Sequence, residues 1–273
     1  MNHFHRITVG LIMVLFILTL SCPAFAATMD LPVFLKVNQY FVLYTYPKAP
    51  YIDSQNRIMV PLRMFCWRLF GADVDFDDKT KSVTVKFSGK TLRLTIGSKA
   101  VEIDGQPVKL DTVPVFCDGN VFVPLRALTN AFGINTVWNE QYRYIYLQDE
   151  RIMKTQTILY MEDTTRAEIA DPDAFIPVSA SLVLTQAKGN TFPKFNLKFK
   201  SRNITGHDLP EGKEDIQYYV AYNTGYTYET PYSWQGRVRP SVESSGTIER
   251  QVGSDYMPSD KINYILYWGR VIK

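Results

Sequence analysis

Four aspartates, Asp73, Asp75, Asp77 and Asp78, stand close together in this 273-residue chain. Two well-placed carboxylates are enough to hydrolyse a glycoside, and a knot of acidic oxygens can hold calcium. On a strand, Asp73, Asp75 and Asp77 would share one face, with Val74 and Phe76 on the other. The plain reading is a strand with one wet face that ends in a turn at Asp78-Lys79-Thr80. Carboxylate-dependent hydrolysis and a weak calcium site are the sharper alternatives. Imidazole chemistry has less to work with. The chain has three histidines, His3, His5 and His207, and a type-2 copper centre wants several imidazoles. His207 lies in the polar loop Thr205-Gly206-His207-Asp208 and reads as a solvated loop residue. No Cys/His cluster has zinc spacing. No G-x-S-x-G elbow and no glycine-rich phosphate loop accompanies these residues. The sequence therefore assigns no catalytic, metal or cofactor-binding residue, and the chain reads as a non-enzyme.

The elements that would position such groups begin after a leader. Residues 1–26 carry one early arginine, Arg6, then the apolar run Ile7–Leu20, then the small-residue site Ala24-Phe25-Ala26. This is the layout of a secretory signal peptide. The run is short for a membrane span, which needs about 20 residues. Cleavage after Ala26 and export of the remainder is the favoured reading; an uncleaved anchor and lipid attachment at Cys22 are the alternatives. Export leaves Cys66 and Cys117, and an oxidising compartment would allow them to bridge. Two buried free thiols are favoured over that bridge, because Cys66 falls on an apolar helix stripe. The net charge of +3 carries no long basic block, so nucleic acid is not a suggested partner.

A short step occurs twice: Val60-Pro61-Leu62-Arg63 and Val123-Pro124-Leu125-Arg126. The residue before a proline is pushed to extended geometry, so each valine ends a strand. Proline lacks only an N–H that the first helical turn leaves unpaired, so Pro61 and Pro124 each open a helix. In the first copy Leu62, Phe65, Cys66, Leu69 and Phe70 form one apolar helix face, and Gly71 stops the helix. In the second copy Leu125, Leu128 and Phe132 are the stripe and Gly133 the stop. A hairpin follows each glycine: 72–77 with a returning strand through Val83 and Val85, and 136–139 with 144–147. The unit strand–helix–hairpin is thus used twice. Ten steps separate Pro61 from Gly71 and nine separate Pro124 from Gly133, which predicts a bulge or a shifted stop in the first helix. Arg63 and Arg126 recur at one outward helix position and read as structural arginines paired with a nearby carboxylate or carbonyl at the strand–helix corner, with ligand binding as the alternative. Between the copies, Thr91–Ser98 alternates like a half-buried strand, and 101–108 reads as a hairpin turning at Asp104-Gly105.

The stretch NRIMVPLR…FGADVDFDDKTKSVTV…LRLTIGSKAVEIDGQPVKLDTVPVFCDGNVFVPLRALTNAFGINTVWNEQYRYIYL resembles the copper amine oxidase N-terminal-like domain, also called the stalk domain, over roughly residues 35–148. Asn139 stands where that family usually has an aspartate after the tryptophan. The resemblance implies an accessory module away from the copper and quinone of the oxidases, found in secreted and envelope proteins, often of Gram-positive type, with no generally assigned catalytic role.

Residues 149–175 are charged and read as a linker, with one short strand at Ile158-Leu159-Tyr160. Strand-like runs follow at 178–184, 195–199, 217–222, 247–252 and 263–268, separated by turn residues, which predicts an immunoglobulin-like β-sandwich over 176–273. The fold class is therefore an α+β first domain over 27–148 built from a duplicated unit, then an all-β sandwich. Tyr226, Tyr228, Tyr232 and Trp234 sit in a loop-like context and are candidate glycan-stacking residues, since exposed large aromatics need a reason; filling of the sheet faces is the plainer account of the neighbouring tyrosines. Asn203-Ile204-Thr205 matches a glycosylation sequon. The function read from all this is a secreted, non-catalytic cell-envelope stalk, scaffold or adhesion module. A carbohydrate- or cell-wall-binding protein is the alternative, and a carboxylate hydrolase the more distant one. The partner would be a cell-wall glycan or another envelope protein, with no membrane span after cleavage.

Overall fold

The structure is a computed structural model that describes residues 33–163, 168–225, 227–229 and 239–273. The leader with its cleavage point and Cys22 lies outside the described residues. In chain order the elements are β1 (Phe34–Val37), β2 (Tyr40–Thr45), β3 (Tyr51–Ile52), β4 (Ile58–Pro61), a π-helix (Met64–Phe70), β5 (Asp73–Asp77), β6 (Ser82–Phe87), β7 (Lys90–Thr95), β8 (Ala100–Ile103) and β9 (Gln106–Lys109). Then come β10 (Val115–Cys117), β11 (Asn120–Pro124), α1 (Leu125–Phe132), β12 (Asn135–Asn139), β13 (Tyr144–Gln148) and α2 (Gln156–Asp163). The last are β14 (Ile169–Thr185), β15 (Lys194–Asn203), β16 (Glu214–Tyr222), β17 (Thr227–Glu229), β18 (Thr247–Asp255) and β19 (Ile262–Ile272). The chain is mostly β, in several sheets.

The two proline corners meet. Strands β4 and β11 are antiparallel neighbours in a four-stranded sheet ordered β10-β11-β4-β3. Their register sets Val60 opposite Val123, Pro61 opposite Phe122 and Pro124 opposite Met59. Each proline is the last residue of its strand, and the helical turn starts at the leucine that follows. Beyond the helices the two copies diverge. The hairpin β5–β6 enters a five-stranded antiparallel meander, β5-β6-β7-β8-β9, whereas β12–β13 joins a ten-stranded sheet.

The one-residue difference between the copies is absorbed in the first helix. After Leu62 and Arg63 it widens to π geometry over Met64–Phe70. The Gly71 N–H donates to the Cys66 carbonyl, five residues back. In α1 the equivalent Gly133 N–H reaches back only to Thr129. A π segment fits one extra residue into a turn without shifting the flanking stripe. Leu62, Phe65, Cys66, Leu69 and Phe70 all remain buried. Gly71 closes the helix at φ 77°, a left-handed conformation that strains any side chain.

The ten-stranded sheet runs β12-β13-β1-β2-β19-β14-β15-β18, with β16 paired to β19 and β17 to β16. Its middle is a wall between two cores. From β1 and β2, Leu35, Val37, Tyr40 and Val42 enter the first core with the helix stripes. Phe34, Phe41 and Leu43 enter the second. Strand β19 splits likewise: Tyr264, Leu266 and Trp268 face the first core, and Ile265, Tyr267 and Val271 the second. A strand buried on both faces reads as a continuous apolar run instead of an alternation, which is why the sequences YFVLYT, YYVAY and INYILYW look as they do. Strands β14, β15 and β18 of the same sheet also contribute to the second core.

Two sequence expectations need correction. Residues 158–160 are not a strand but lie in α2, where Ile158 is fully buried in the first core. The charged stretch ending at 175 is not wholly linker, since β14 already starts at Ile169. Its Ala170-Asp171-Pro172-Asp173 sits where the β14–β19 register shifts between Ile169 and Asp171 and again before Phe175. Proline is tolerated in a strand at such irregularities. The Pro172 carbonyl accepts from the Trp268 indole N–H at 2.8 Å, and Asp173 pairs with the buried Lys36 ammonium at 2.7 Å. At Phe175, β14 leaves β19 and continues against β15.

Candidate functional site

The corner motifs divide by side chain. Val60, Leu62, Val123 and Leu125 are buried, as are both prolines, while Arg63 and Arg126 are exposed. Neither arginine side chain makes an ion pair or a hydrogen bond among the described residues, so the expected pairing with a carboxylate or carbonyl at the corner is not seen there. Gly71 and Gly133 both hold left-handed backbone at the helix ends. Within each motif the arginine is the exposed side chain.

Arg63 opens onto a groove of about 390 Å³, within the usual size range of small-ligand sites. Arg63, just before the π-helix, and Trp67 within it line one side. On the other side, β5 and β6 contribute Asp73, Asp75, Thr84 and Lys86. The register of the hairpin puts Asp73 opposite Lys86 and Asp75 opposite Thr84. The side chains of Arg63, Asp73, Asp75, Thr84 and Lys86 make no hydrogen bond or ion pair among the described residues. Trp67 is 47% exposed. The Arg68 guanidinium carbon lies 3.7 Å from the indole centroid, which fixes the ring by a cation–π contact. A smaller depression of about 70 Å³ adjoins this groove through the shared Arg63 and Val74, lined in part by Phe76, Phe116 and Val121. Phe116 is 50% exposed.

Among the aspartates singled out from sequence, Asp73 and Asp75 face this groove. Asp77 instead caps the turn that follows: its carboxylate accepts from Thr80 and from the Lys79 N–H, which holds it below the usual aspartate range. Asp78 pairs with Lys81. Trp67 was not among the residues selected from sequence. The available signal was its place between Cys66 and Leu69, off the apolar stripe, where a tryptophan has no core to fill.

The other candidates are dispersed. Tyr228 lies on β17, its backbone opposite Val220 of β16, while Tyr226, Tyr232 and Trp234 lie outside the described residues. His207 is exposed, with Nδ1 3.1 Å from the Asp208 carbonyl. The sequon residue Asn203 is fully buried. Its amide donates to the His207 and Glu243 carbonyls at 2.9 and 3.0 Å, so it pins this loop and presents no acceptor for a glycan. Cys66 is free and buried, and burial pushes its thiol well above the ordinary range. Cys117, in the separate small cluster with Met59 and Phe122, is disulfide-bonded but not to Cys66. Its expected free state is thereby corrected.

A buried ionic set escaped the sequence reading. Consecutive residues Glu214 and Asp215 of β16 are both fully buried. Asp215 accepts from Arg270 Nε at 2.6 Å, from Gln217 Nε2 at 2.6 Å and from Arg239 Nη2 at 3.1 Å. Glu214 accepts from Arg250 at 2.9 Å and from the Ile216 N–H at 2.8 Å. Buried charges persist only when paired and hydrogen-bonded, and every carboxylate oxygen named here has a donor. The set has the character of a structural lock.

For metals, the donor set does not fit copper. Among the described residues His207 is the one histidine, and no three His, Cys, Asp or Glu side chains converge on a point where an ion could sit. Copper(II) sites are built from several imidazole ligands.

No curated protein matches this chain. The element order from β1 to β13, with its two proline corners, is the region that a family profile covers: residues 36–147 match the copper amine oxidase N-terminal domain, a non-catalytic part of copper amine oxidases.

Proposed function

We propose that the chain is an exported, non-catalytic stalk of the cell envelope, in which two repeated strand–helix–hairpin units arose by duplication and carry a β-sandwich. The observation that carries this reading is the pairing of β2 with β19, Tyr264 opposite Thr45 and Tyr267 opposite Phe41. It makes the family module and the C-terminal half share one sheet and two cores. Such a body transmits position rather than flexing at a linker, which is what a stalk or scaffold requires. The leader supports export, and the family match supports an accessory role. The partner on this reading is a wall glycan or another envelope protein. Fractionation of producing cells with an antibody to the chain tests the proposal, together with amine oxidase and glycosidase assays on the purified protein. Recovery in the wall or envelope fraction with no turnover is the expected result. Recovery in the cytoplasm, or turnover lost in Asp73→Asn or Asp75→Asn, would overturn it.

A further inference from the structure

We propose that the groove between Trp67 and the β5–β6 hairpin is a binding subsite for an uncharged, N-acetylated glycan segment. Three independent features point to this class. First, Trp67 offers a large exposed indole whose orientation is fixed in advance by Arg68. A rigid platform binds with little loss of conformational freedom, and the apolar face of a sugar ring stacks on such a surface. Second, the groove rim holds both kinds of hydrogen-bonding group. Asp73 and Asp75 accept, Arg63 and Lys86 donate, and Thr84 does either. Sugar hydroxyls need both. The two acids and two bases cancel in charge, so neither a polyanion nor a polycation is favoured, and none of the five side chains is committed to a partner among the described residues. Third, the adjoining depression beside Phe76 and Phe116 is small, about 70 Å³, and lined mainly by apolar side chains, with Arg63 and Asn120 at its wall. It suits a methyl-sized substituent, such as that of an acetamido group, next to a ring stacked on Trp67.

This site lies on the first module, and it goes beyond the stalk role. A stalk without glycan affinity would fail the test below and still fractionate with the envelope.

The test is calorimetric titration of the exported full-length chain with chitotetraose, with cellotetraose, and with soluble peptidoglycan fragments. Chitotetraose and peptidoglycan fragments are expected to bind, and cellotetraose, which lacks the acetamido group, to bind at least several-fold more weakly. Trp67→Ala should lower affinity about tenfold or more, as truncation of a central aromatic anchor does. Trp67→Phe should restore part of it. Should Trp67→Ala disturb folding, the surface changes Lys86→Ala and Asp75→Asn decide the matter, each with an expected several-fold loss. No binding of either acetylated probe overturns the proposal. So does binding that all of these groove variants leave intact, or equal affinity for cellotetraose.

Discussion

Val60 and Val123 stand directly opposite each other in the antiparallel pair β4–β11, both fully buried, each one residue before the proline of its corner. The two motifs are thus in contact and stabilise one another. Val60→Ala and Val123→Ala should each cost about 2 kcal/mol from lost apolar burial plus the cavity left behind. The double variant should depart from additivity, since contacting residues share an interaction. Urea denaturation of the three variants measures this; strictly additive losses would mean that the corners are independent.

Asp215 and Arg270 form the tightest part of the buried ionic set, 2.6 Å apart with side chains 1% and 2% exposed. Removing one partner leaves the other charge buried and unmatched. Asp215→Ala should therefore cost about 3–5 kcal/mol, whereas Asp215→Leu combined with Arg270→Met should recover much of that loss. Arg239 is partly exposed and can turn to water in the double variant. Equal losses in the single and double variants would refute this account.

Gly269 sits where β14 leaves β19. A Cβ there would lie 2.4 Å from the Phe175 carbonyl oxygen and 2.5 Å from the Tyr267 hydroxyl. Gly269→Ala should cost about 3 kcal/mol through overpacking against backbone. A thermal melt within a degree or so of the parent would show that the two strands can separate freely.

Asp149 supplies the pH dependence. The hydrogen bond from Arg151 holds its carboxyl below the ordinary aspartate range. The same arginine donates to the Phe132 carbonyl at 2.9 Å, and Asn38 bonds the Asp149 backbone, so the pair ties β1, the end of α1 and the exit of β13 together. A carboxyl whose folded pKa is depressed contributes stability that is complete above its unfolded value, near 3.9, and that is lost as pH falls through the folded value. Melting temperature should drop on acidification below about pH 4, and Asp149→Asn should flatten that part of the profile while lowering stability at neutral pH. An unchanged acid slope in the variant would remove the pair from the account.

The local elements of the first module were legible because proline, glycine and a helix stripe act over a few residues. The corners, both helices, the hairpin at Asp104-Gly105 and the extra residue before Gly71 all have near-neighbour causes. The shared wall was not legible. Long apolar runs such as INYILYW announce a strand, and only the tertiary partner shows that both faces are covered. Ile158-Leu159-Tyr160 has strand-forming residue types, yet Ile158 docks into the first core from a helix, so packing overrode propensity. The prolines of β14 argued against a strand and proved to mark its irregular registers. The groove was half legible: Asp73 and Asp75 were visible as a wet face, but their approach to Trp67 depends on how the π-helix lies along the edge strand β5.

The central claim is that the family module and the C-terminal half are one mechanical body joined through β2 and β19. Native-state hydrogen exchange of the backbone amides in Phe41–Thr45 and Tyr264–Tyr267 tests it most directly. The account predicts that both sets exchange only through global unfolding, with the same free energy and the same denaturant dependence. Exchange of the β2 amides through a separate, lower-energy opening that leaves β19 protected would contradict it.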